Sequence, residues 1–224
     1  FYKTNLEFIT DHAVDPDKRR YANKVEGFRH YLDADVYGKD LPAVLPQDWT
    51  TALASYSTVY GLQNTGDTVA LFTYKFRPTK KDSVVMLYPK KGKESIQYTE
   101  YLYLYKKYLT PGFQPVQWTV TSDSLSSKLT TYAFPYFKGF VVKESLSQHG
   151  ILPWNLVNYY HKLVGAFNHL DYERILQYSA EIGHYVGDAH VPLHTCSNYN
   201  GQLTNQHGIH GFWESRIPEL FADE

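Results

Sequence analysis

The sequence predicts a mainly α-helical fold that is interrupted by one β-rich insertion. Two observations support this prediction. Near the C-terminal end, apolar residues recur at the three- and four-residue spacing of one helix face. This stripe consists of Leu156, Tyr160, Leu163, Val164 and Phe167. Between residues 59 and 142, short β-branched and aromatic segments alternate with turn residues. We therefore predict a helical core of residues 1–58 and 143–224, and an inserted β-rich subdomain of residues 59–142.

The first part of the core contains two helix signals and one extended signal. Residues 1–12 are predicted to form a helix, with Phe1, Phe8 and Ile9 as expected core positions. Asp15-Pro16 favours a turn before a short helix over residues 17–23. The stretch "FRHYLDAD" predicts a short strand or extended segment, and Asp48 is a candidate N-cap of the next helix.

Strand signals dominate the insertion. The stretches "DTVALFTYKF", "DSVVMLYPK" and "QPVQWTVTSD" predict strands, and "AFPYFKGFVV" closes the region. The stretch "ESIQYTEYLYLYKKYLTPG" suits either a strand or a helix. The tyrosines and tryptophans of this region would either fill the core of a small sheet or form an aromatic surface for lipid, sugar or base.

Two long helices are predicted after the insertion. Pro153 suits the start of the first, and Asp171 suits the N-cap of the second. Pro192 should end the second helix, because its ring and missing N–H cannot continue the hydrogen bonding. A Gly- and Asn-rich loop spans residues 197–208, and a last helix begins near His210.

Bulk composition narrows the possible classes. The chain has 224 residues, which suits one large domain or a domain with an insertion. With a net charge of −1, the chain has no overall positive charge that would attract nucleic acid or an anionic membrane. One cysteine excludes an intrachain disulfide, and no apolar run approaches the roughly 18 residues of a membrane span. No signal peptide is visible, and we expect the chain to be truncated at both ends.

Half of the ten histidines lie between residues 181 and 219. His184 and Asp188 are four residues apart and share a helix face, as do His210 and Glu214. His194 follows the helix end at Pro192 and is free to fold back.

Imidazole and carboxylate ligands together suit zinc. One zinc ion needs fewer ligands than these, so a shared carboxylate between two ions is the economical arrangement. We expect His190 and His207 to be bystanders, since His190 lies off the face of Asp188 and His207 lies in a loop.

The stretches "GHYVGDAHVPLH" and "HGIHGFWES" resemble the trinuclear zinc enzymes that comprise bacterial zinc-dependent phospholipase C and the single-strand-specific nucleases. Glu214 is the phospholipase-like residue at its position. The family also has an aspartate followed about fifteen residues later by a histidine in an HY-I/V-D context. Asp15 and His30 have that spacing here, with Asp11 and Asp17 as competitors for Asp15.

The resemblance implies a helical phospholipase C/nuclease-like bundle and a set of zinc ligands. One zinc ion would be held by Asp15, His30, His184 and Asp188, and a second by His194, His210 and Glu214. Asp188 would bridge to a third ion. The family builds that third site with an N-terminal tryptophan and a nearby histidine, which this chain does not contain, so we expect two ions from this chain.

The implied activity is zinc-dependent hydrolysis of phosphoric ester bonds by a metal-activated water, with Asp15 as general base. The substrate would be a phospholipid headgroup or a short single-stranded nucleic acid or nucleotide, and no obligate protein partner is evident. Arg29, Asn198 and Asn200 are candidate substrate contacts. The resemblance also implies an extracytoplasmic location. The alternative is a non-catalytic, metal-stabilised helical scaffold whose β-rich insertion is a binding module.

Overall fold

A computed structural model gives the structure of the chain. It describes residues 1–38, 41, 45–73, 83–86, 95–110, 116–132 and 134–221. Within these ranges the fold is mainly helical, with an antiparallel sheet in the middle of the sequence. No helix in the described ranges is both long enough and apolar enough to cross a membrane.

The α-helices and strands follow one another in three blocks. The helices, in chain order, are α1 (Leu6–His12), α2 (Asp15–Ala22), α3 (Lys24–Gly27), α4 (Trp49–Ser55), α5 (Tyr98–Leu104), α6 (Asp123–Thr130), α7 (Leu152–Asn168), α8 (Tyr172–His190), α9 (Ile209–Gly211) and α10 (Ile217–Phe221). The strands are β1 (Ser57–Leu62), β2 (Thr68–Thr73), β3 (Ser83–Met86), β4 (Ser95–Gln97), β5 (Gln117–Val120) and β6 (Gly139–Glu144). Short 3₁₀ turns include Ala34–Tyr37 and Pro192–Thr195, and π-helical turns cover Tyr105–Leu109 and Phe212–Arg216.

The chain divides into two compact units, one of residues 1–39 with 149–224, and one of residues 40–148. The second unit is wider than the predicted insertion of 59–142. Strands β1 and β6 pair along their whole lengths, from Ser57↔Glu144 to Leu62↔Gly139, so the ladder crosses both predicted boundaries.

The second unit is built around the antiparallel sheet, whose strand order is β4-β3-β2-β1-β6-β5. Strand β1 alternates buried and half-buried residues, as expected of a strand with one face on a core. Gly61 leaves room for the ring of Phe137, since a Cβ at residue 61 would lie 2.5 Å from that ring. The predicted strand residues 74–76 and 87–90 lie outside the described residues.

Helices within the insertion were partly missed by the sequence pattern. The ambiguous stretch after residue 95 forms α5 and a π-helical turn, and α6 was not predicted. Tyr101 and Tyr105 are fully buried, with hydroxyls bonded to the Ala54 carbonyl and to Ser57. Tyr103 and Tyr136 are exposed, so the aromatic residues supply both core and surface.

The first unit has its core between α7 and α8. Leu152, Tyr159 and Tyr185 form a buried cluster there, and Leu156 and Ile182 pack against it. Asp171 caps α8 as predicted, because its side chain accepts a hydrogen bond from the Arg174 N–H.

Two N-terminal core expectations were wrong. Phe1 and Phe8 are 53% and 37% exposed. Helix α1 packs on α8, but it has only seven residues and no fully buried one, so most of its surface faces solvent.

Candidate metal centre

Three segments of the first unit bring one group of ligand-type side chains together. Helix α8 carries His184 and Asp188 one turn apart, so both project from the same face. His30 lies in the turn after α3, where the sequence predicted a strand or extended segment, and Asp17 lies in α2. We call Asp17, His30, His184 and Asp188 the first ligand group.

The segment around His30 is fixed by the start of α7. The N–H groups of Ile151 and Leu152 donate to the carbonyls of Phe28 and Tyr31, at 2.7 and 3.2 Å. Gly150 makes this approach possible, because it has φ +83° and a Cβ there would lie 2.0 Å from the Tyr31 carbonyl oxygen. These contacts fix the backbone beside His30 to the start of α7.

Three ligand atoms of the first group converge on one point. His30 Nδ1 lies 2.9 Å from Asp188 Oδ2 and 3.1 Å from His184 Nε2. His184 Nε2 lies 3.4 Å from the same oxygen of Asp188. The Asp17 oxygens complete the group at 3.9 Å from each of the two ring nitrogens. His30 and Asp188 are buried, whereas the Asp17 side chain is 44% exposed.

The structure brings Asp17, and not the predicted Asp15, to His30 and His184. Asp15 instead contacts His12 Nδ1 at 2.5 Å and Lys18 Nζ at 2.9 Å. Hydrogen bonds from these two side chains hold its pKa below the ordinary value. The physical reason is helical geometry, because residues two apart on a helix point about 200° from each other.

A second ligand group consists of His194, His210 and Glu214. His194 lies in the 3₁₀ turn after Pro192, where α8 has ended as predicted. His210 and Glu214 lie four residues apart where α9 continues into a π-helical turn. Glu214 Oε1 is 2.9 Å from His194 Nε2, and its Oε2 is 2.8 Å from His210 Nε2.

Backbone carbonyls orient both rings of the second group. His194 Nδ1 is 2.6 Å from the His30 carbonyl oxygen, and His210 Nδ1 is 3.1 Å from the Tyr199 carbonyl oxygen. A carbonyl accepts, so each Nδ1 must carry the proton and donate. Each ring would then bind a metal ion through its other nitrogen, Nε2, which faces the group. Histidine ligands of metal sites are commonly fixed by such a bond at the other nitrogen.

Asp188 lies between the two groups. Its Oδ2 contacts the rings of His30 and His184, while its Oδ1 lies 3.8 Å from Nδ1 of His194. One carboxylate thus contacts the first group and lies beside the ring of His194, at its Nδ1 and not at the Nε2 that faces the second group.

The spacing and chemistry of these atoms fit a metal ion. Four ligand atoms at 2.0–2.1 Å around a zinc ion lie about 3.3–3.4 Å from one another. The separations in the first group, 2.9 to 3.9 Å, bracket that value. Within the described ranges, no lysine or arginine forms an ion pair with Asp188 or Glu214. Asp17 has a weak contact with Arg20, at 3.7 Å.

The sequence did not reveal a second cluster of buried charge, which borders the first ligand group. It consists of Arg19, Arg29, Glu26 and Glu181, and we call it the arginine–glutamate network. Arg19 donates to both oxygens of Glu181 at 3.0 and 2.9 Å, and Arg29 donates to Glu26 at 2.6 Å. The only local signal was the i, i+3 spacing of Glu26 and Arg29, because the Arg19–Glu181 pair spans 162 residues.

Tyr185 links the network to the ligand group. Its hydroxyl donates to Glu26, and its ring centroid lies 5.2 Å from that of His30 and 5.6 Å from that of His184. Tyr185 is fully buried, so the two ligand rings rest against a fixed surface.

The other candidate residues have structural partners. Arg29 belongs to the network, and Asn198 and Asn200 accept hydrogen bonds from Leu203 and Gly208 of their own loop. His190 Nδ1 contacts the Val186 carbonyl on the exposed side of α8, and His207 is exposed. Neither histidine belongs to a ligand group.

Comparison with known proteins identifies no family for this chain. The chain matches no protein-family model, no curated protein and no solved structure.

Proposed function

We propose that the protein is a zinc-dependent hydrolase of phosphoric ester bonds, with a helical core of the phospholipase C/nuclease type. The observation that carries this proposal is the pair of adjacent ligand groups with Asp188 between them. Paired metal sites about 3.5–4 Å apart are typical of phosphoester hydrolysis. The sequence resemblance points to the same chemistry.

The ligand assignment follows the geometry. The first ion would be held by Asp17, His30, His184 and Asp188, and Asp17 replaces Asp15 in that set. The second would be held by His194, His210 and Glu214, which leaves it with three protein ligands. A zinc site with three protein ligands retains an open position for water or substrate, as catalytic zinc sites do.

Zinc in such a site lowers the pKa of a bound water toward about 7 and offsets the charge that develops on phosphate oxygens. Asp17 is the general-base candidate, because its carboxylate borders the first group and is 44% exposed. Glu214 is also partly open, with 37% of its side chain exposed, so substrate can reach the second group from its side. Asp188 and His30 are buried, so they would hold the first ion without contacting substrate.

The net charge of −1 favours small phosphoesters over long nucleic acids. A phospholipid headgroup and a short single-stranded oligonucleotide or nucleotide present the same phosphate to the site. Both classes are therefore included in the test.

The test is zinc-dependent turnover by the full-length protein. Metal-free protein would be prepared with a chelator and assayed with and without added zinc on phosphatidylcholine, single-stranded DNA and a 3′-nucleotide. We expect turnover of at least one substrate that requires zinc. His184→Ala should abolish it, whereas His190→Ala, a histidine on the same helix outside both groups, should retain it.

Two outcomes would contradict the proposal. Protein that binds no zinc would remove its basis. Protein that binds two zinc ions per chain and turns over none of the three substrates would favour the alternative, a metal-stabilised scaffold without catalysis.

A further inference from the structure

Both histidines of the second ligand group depend on one irregular segment, residues 194–199. His194 is the first residue of that segment. The carbonyl of Tyr199, its last residue, accepts the hydrogen bond that orients His210. A shift of this segment would therefore move one ligand directly and release the other from its orienting bond.

The segment is fastened to the chain around His30 at two places. At one end, the Leu32 N–H donates to the His194 carbonyl at 2.9 Å, and His194 Nδ1 donates to the His30 carbonyl. In its middle, Ser197 donates twice to Asp35. Its N–H lies 2.8 Å from Oδ1 and its hydroxyl lies 2.5 Å from Oδ2.

The Asp35 carboxylate accepts both hydrogen bonds from Ser197. It lies in the 3₁₀ turn of residues 34–37, three residues after Leu32. The hydrogen bonds from Ser197 keep its pKa below the ordinary value, so it is ionised at neutral pH. A carboxylate that accepts two hydrogen bonds is a stronger and more directional anchor than a neutral acceptor.

The rest of the loop is bonded to itself. Asn198 contacts Leu203 and Thr204, and Gln202 donates to the Ser197 carbonyl at 2.7 Å. These bonds make the loop one closed unit, but they do not tie it to the segment around His30. The Asp35–Ser197 contact ties the loop to that segment.

We propose that Asp35 is a positioning residue for the second metal site, which it controls by anchoring residues 194–199 through Ser197. The inference rests on the proposed function, since it assumes that the second group binds an ion. Asp35 touches none of the three ligands, so its effect passes through the backbone of that segment.

The expected effect is selective for one site. The first group takes two ligands from α8, and His30 is held by the start of α7, so it does not depend on Ser197. Loss of Asp35 should weaken the second ion and spare the first. A merely structural role would lower both affinities together or neither.

The experiment is a titration of metal-free, full-length protein with Zn²⁺ in competition with a chromophoric chelator, which resolves two binding events. Asp35→Ala and Ser197→Ala should each weaken the second event about 10–100-fold, the range found for residues that orient metal ligands. The first event should stay within about twofold. The double variant should be no weaker than Asp35→Ala, because both changes remove one contact.

Thr195→Ala is the matched control. It removes a hydroxyl bond to the Pro192 carbonyl within the same turn, but none to the segment around His30. Both affinities of this variant should equal those of the wild type. Asp35→Asn, which keeps the size and one acceptor oxygen, should fall between wild type and Asp35→Ala and serves if the alanine variant does not fold.

The outcomes separate the two proposals. Two wild-type affinities in Asp35→Ala and Asp35→Asn, or an equal loss at both sites, would overturn the role of Asp35 and leave the hydrolase proposal intact. A wild-type protein that binds no Zn²⁺ would overturn both.

Discussion

The first unit contains two clusters of buried charge that differ in how their carboxylates are balanced. In the arginine–glutamate network, Glu26 and Glu181 are each only 2% exposed, and each is bonded to an arginine. In the ligand groups, the ion-pair partners of the buried Asp188 among the described residues are all imidazole rings. The two clusters share Tyr185 as their boundary.

The comparison supports the proposal that the ligand groups, unlike the network, bind an ion. A buried carboxylate is costly unless it is paired and hydrogen-bonded, and the arginines meet that need in the network. Burial raises the pKa of Glu181, but hydrogen bonds from Tyr159, Arg19 and Gln177 outweigh this and hold the pKa below its ordinary value. In the ligand groups, no described lysine or arginine pairs with Asp188, and we assign the role of positive charge to a metal ion.

The largest expected effect is at Asp188. Asp188→Asn removes the charge that contacts both rings of the first group, and zinc affinity at that group should fall by more than about 100-fold, with loss of hydrolysis. In the wild type, zinc at 100 times its Kd should stabilise the fold by about 2.7 kcal/mol. Calorimetry with and without zinc would check this. An undiminished zinc-induced rise of Tm in the variant would contradict the assignment of Asp188.

Arg19→Met should lower the stability of the fold and leave zinc binding almost unchanged. It leaves Glu181 without its main cation, and the free energy of unfolding should fall by about 2–3 kcal/mol. That lies below the range for fully buried pairs, because the Arg19 side chain is 36% exposed. Zinc affinity should change less than about threefold.

Urea denaturation measures this loss of stability. Arg174→Met is the control, since Arg174 is 65% exposed in its pair with Asp171 and should cost less than about 1 kcal/mol. An equal loss in both variants would mean that burial of the network adds nothing.

Asp17 and Asp15 offer a smaller, internal test of the ligand set. Asp17→Asn should weaken the first zinc ion about tenfold, since it removes one ligand charge from a group that keeps three other ligands. Asp15→Asn should leave that affinity unchanged, because Asp15 faces His12 and Lys18. Chelator competition would distinguish them, and the reverse order of affinities would restore the assignment made from sequence.

The smallest expected effect is on how steeply the stability falls at acidic pH. The folded-state pKa of Glu181 lies below its ordinary value of 4.5. Its stabilising contribution is therefore complete above about pH 4.5 and is lost as the pH falls through the folded-state pKa. Below pH 4.5, the Tm of the wild type should fall more steeply with pH than that of Glu181→Gln. Parallel curves would show that the network does not hold this pKa down.

The local features of this protein can be predicted from its sequence. Helix α8, its cap at Asp171 and its end before Pro192 follow from patterns within a few residues. The i, i+4 pairs His184–Asp188 and His210–Glu214 follow from helix geometry alone, and both pairs meet in the structure. Such features depend on neighbours in sequence, so sequence shows them.

The features that join distant segments depend on how the chain packs and could not be predicted from the sequence. Sequence spacing favoured Asp15, but the direction in which α2 packs turns Asp17 toward His30 instead. The Arg19–Glu181 pair and the Asp35–Ser197 contact each join residues 162 positions apart, which no local pattern encodes. Likewise, the β1–β6 pairing includes residues beyond the predicted boundaries at 59 and 142. The physical reason is common to all of these features, since side-chain direction and long-range pairing are fixed by packing rather than by local propensity.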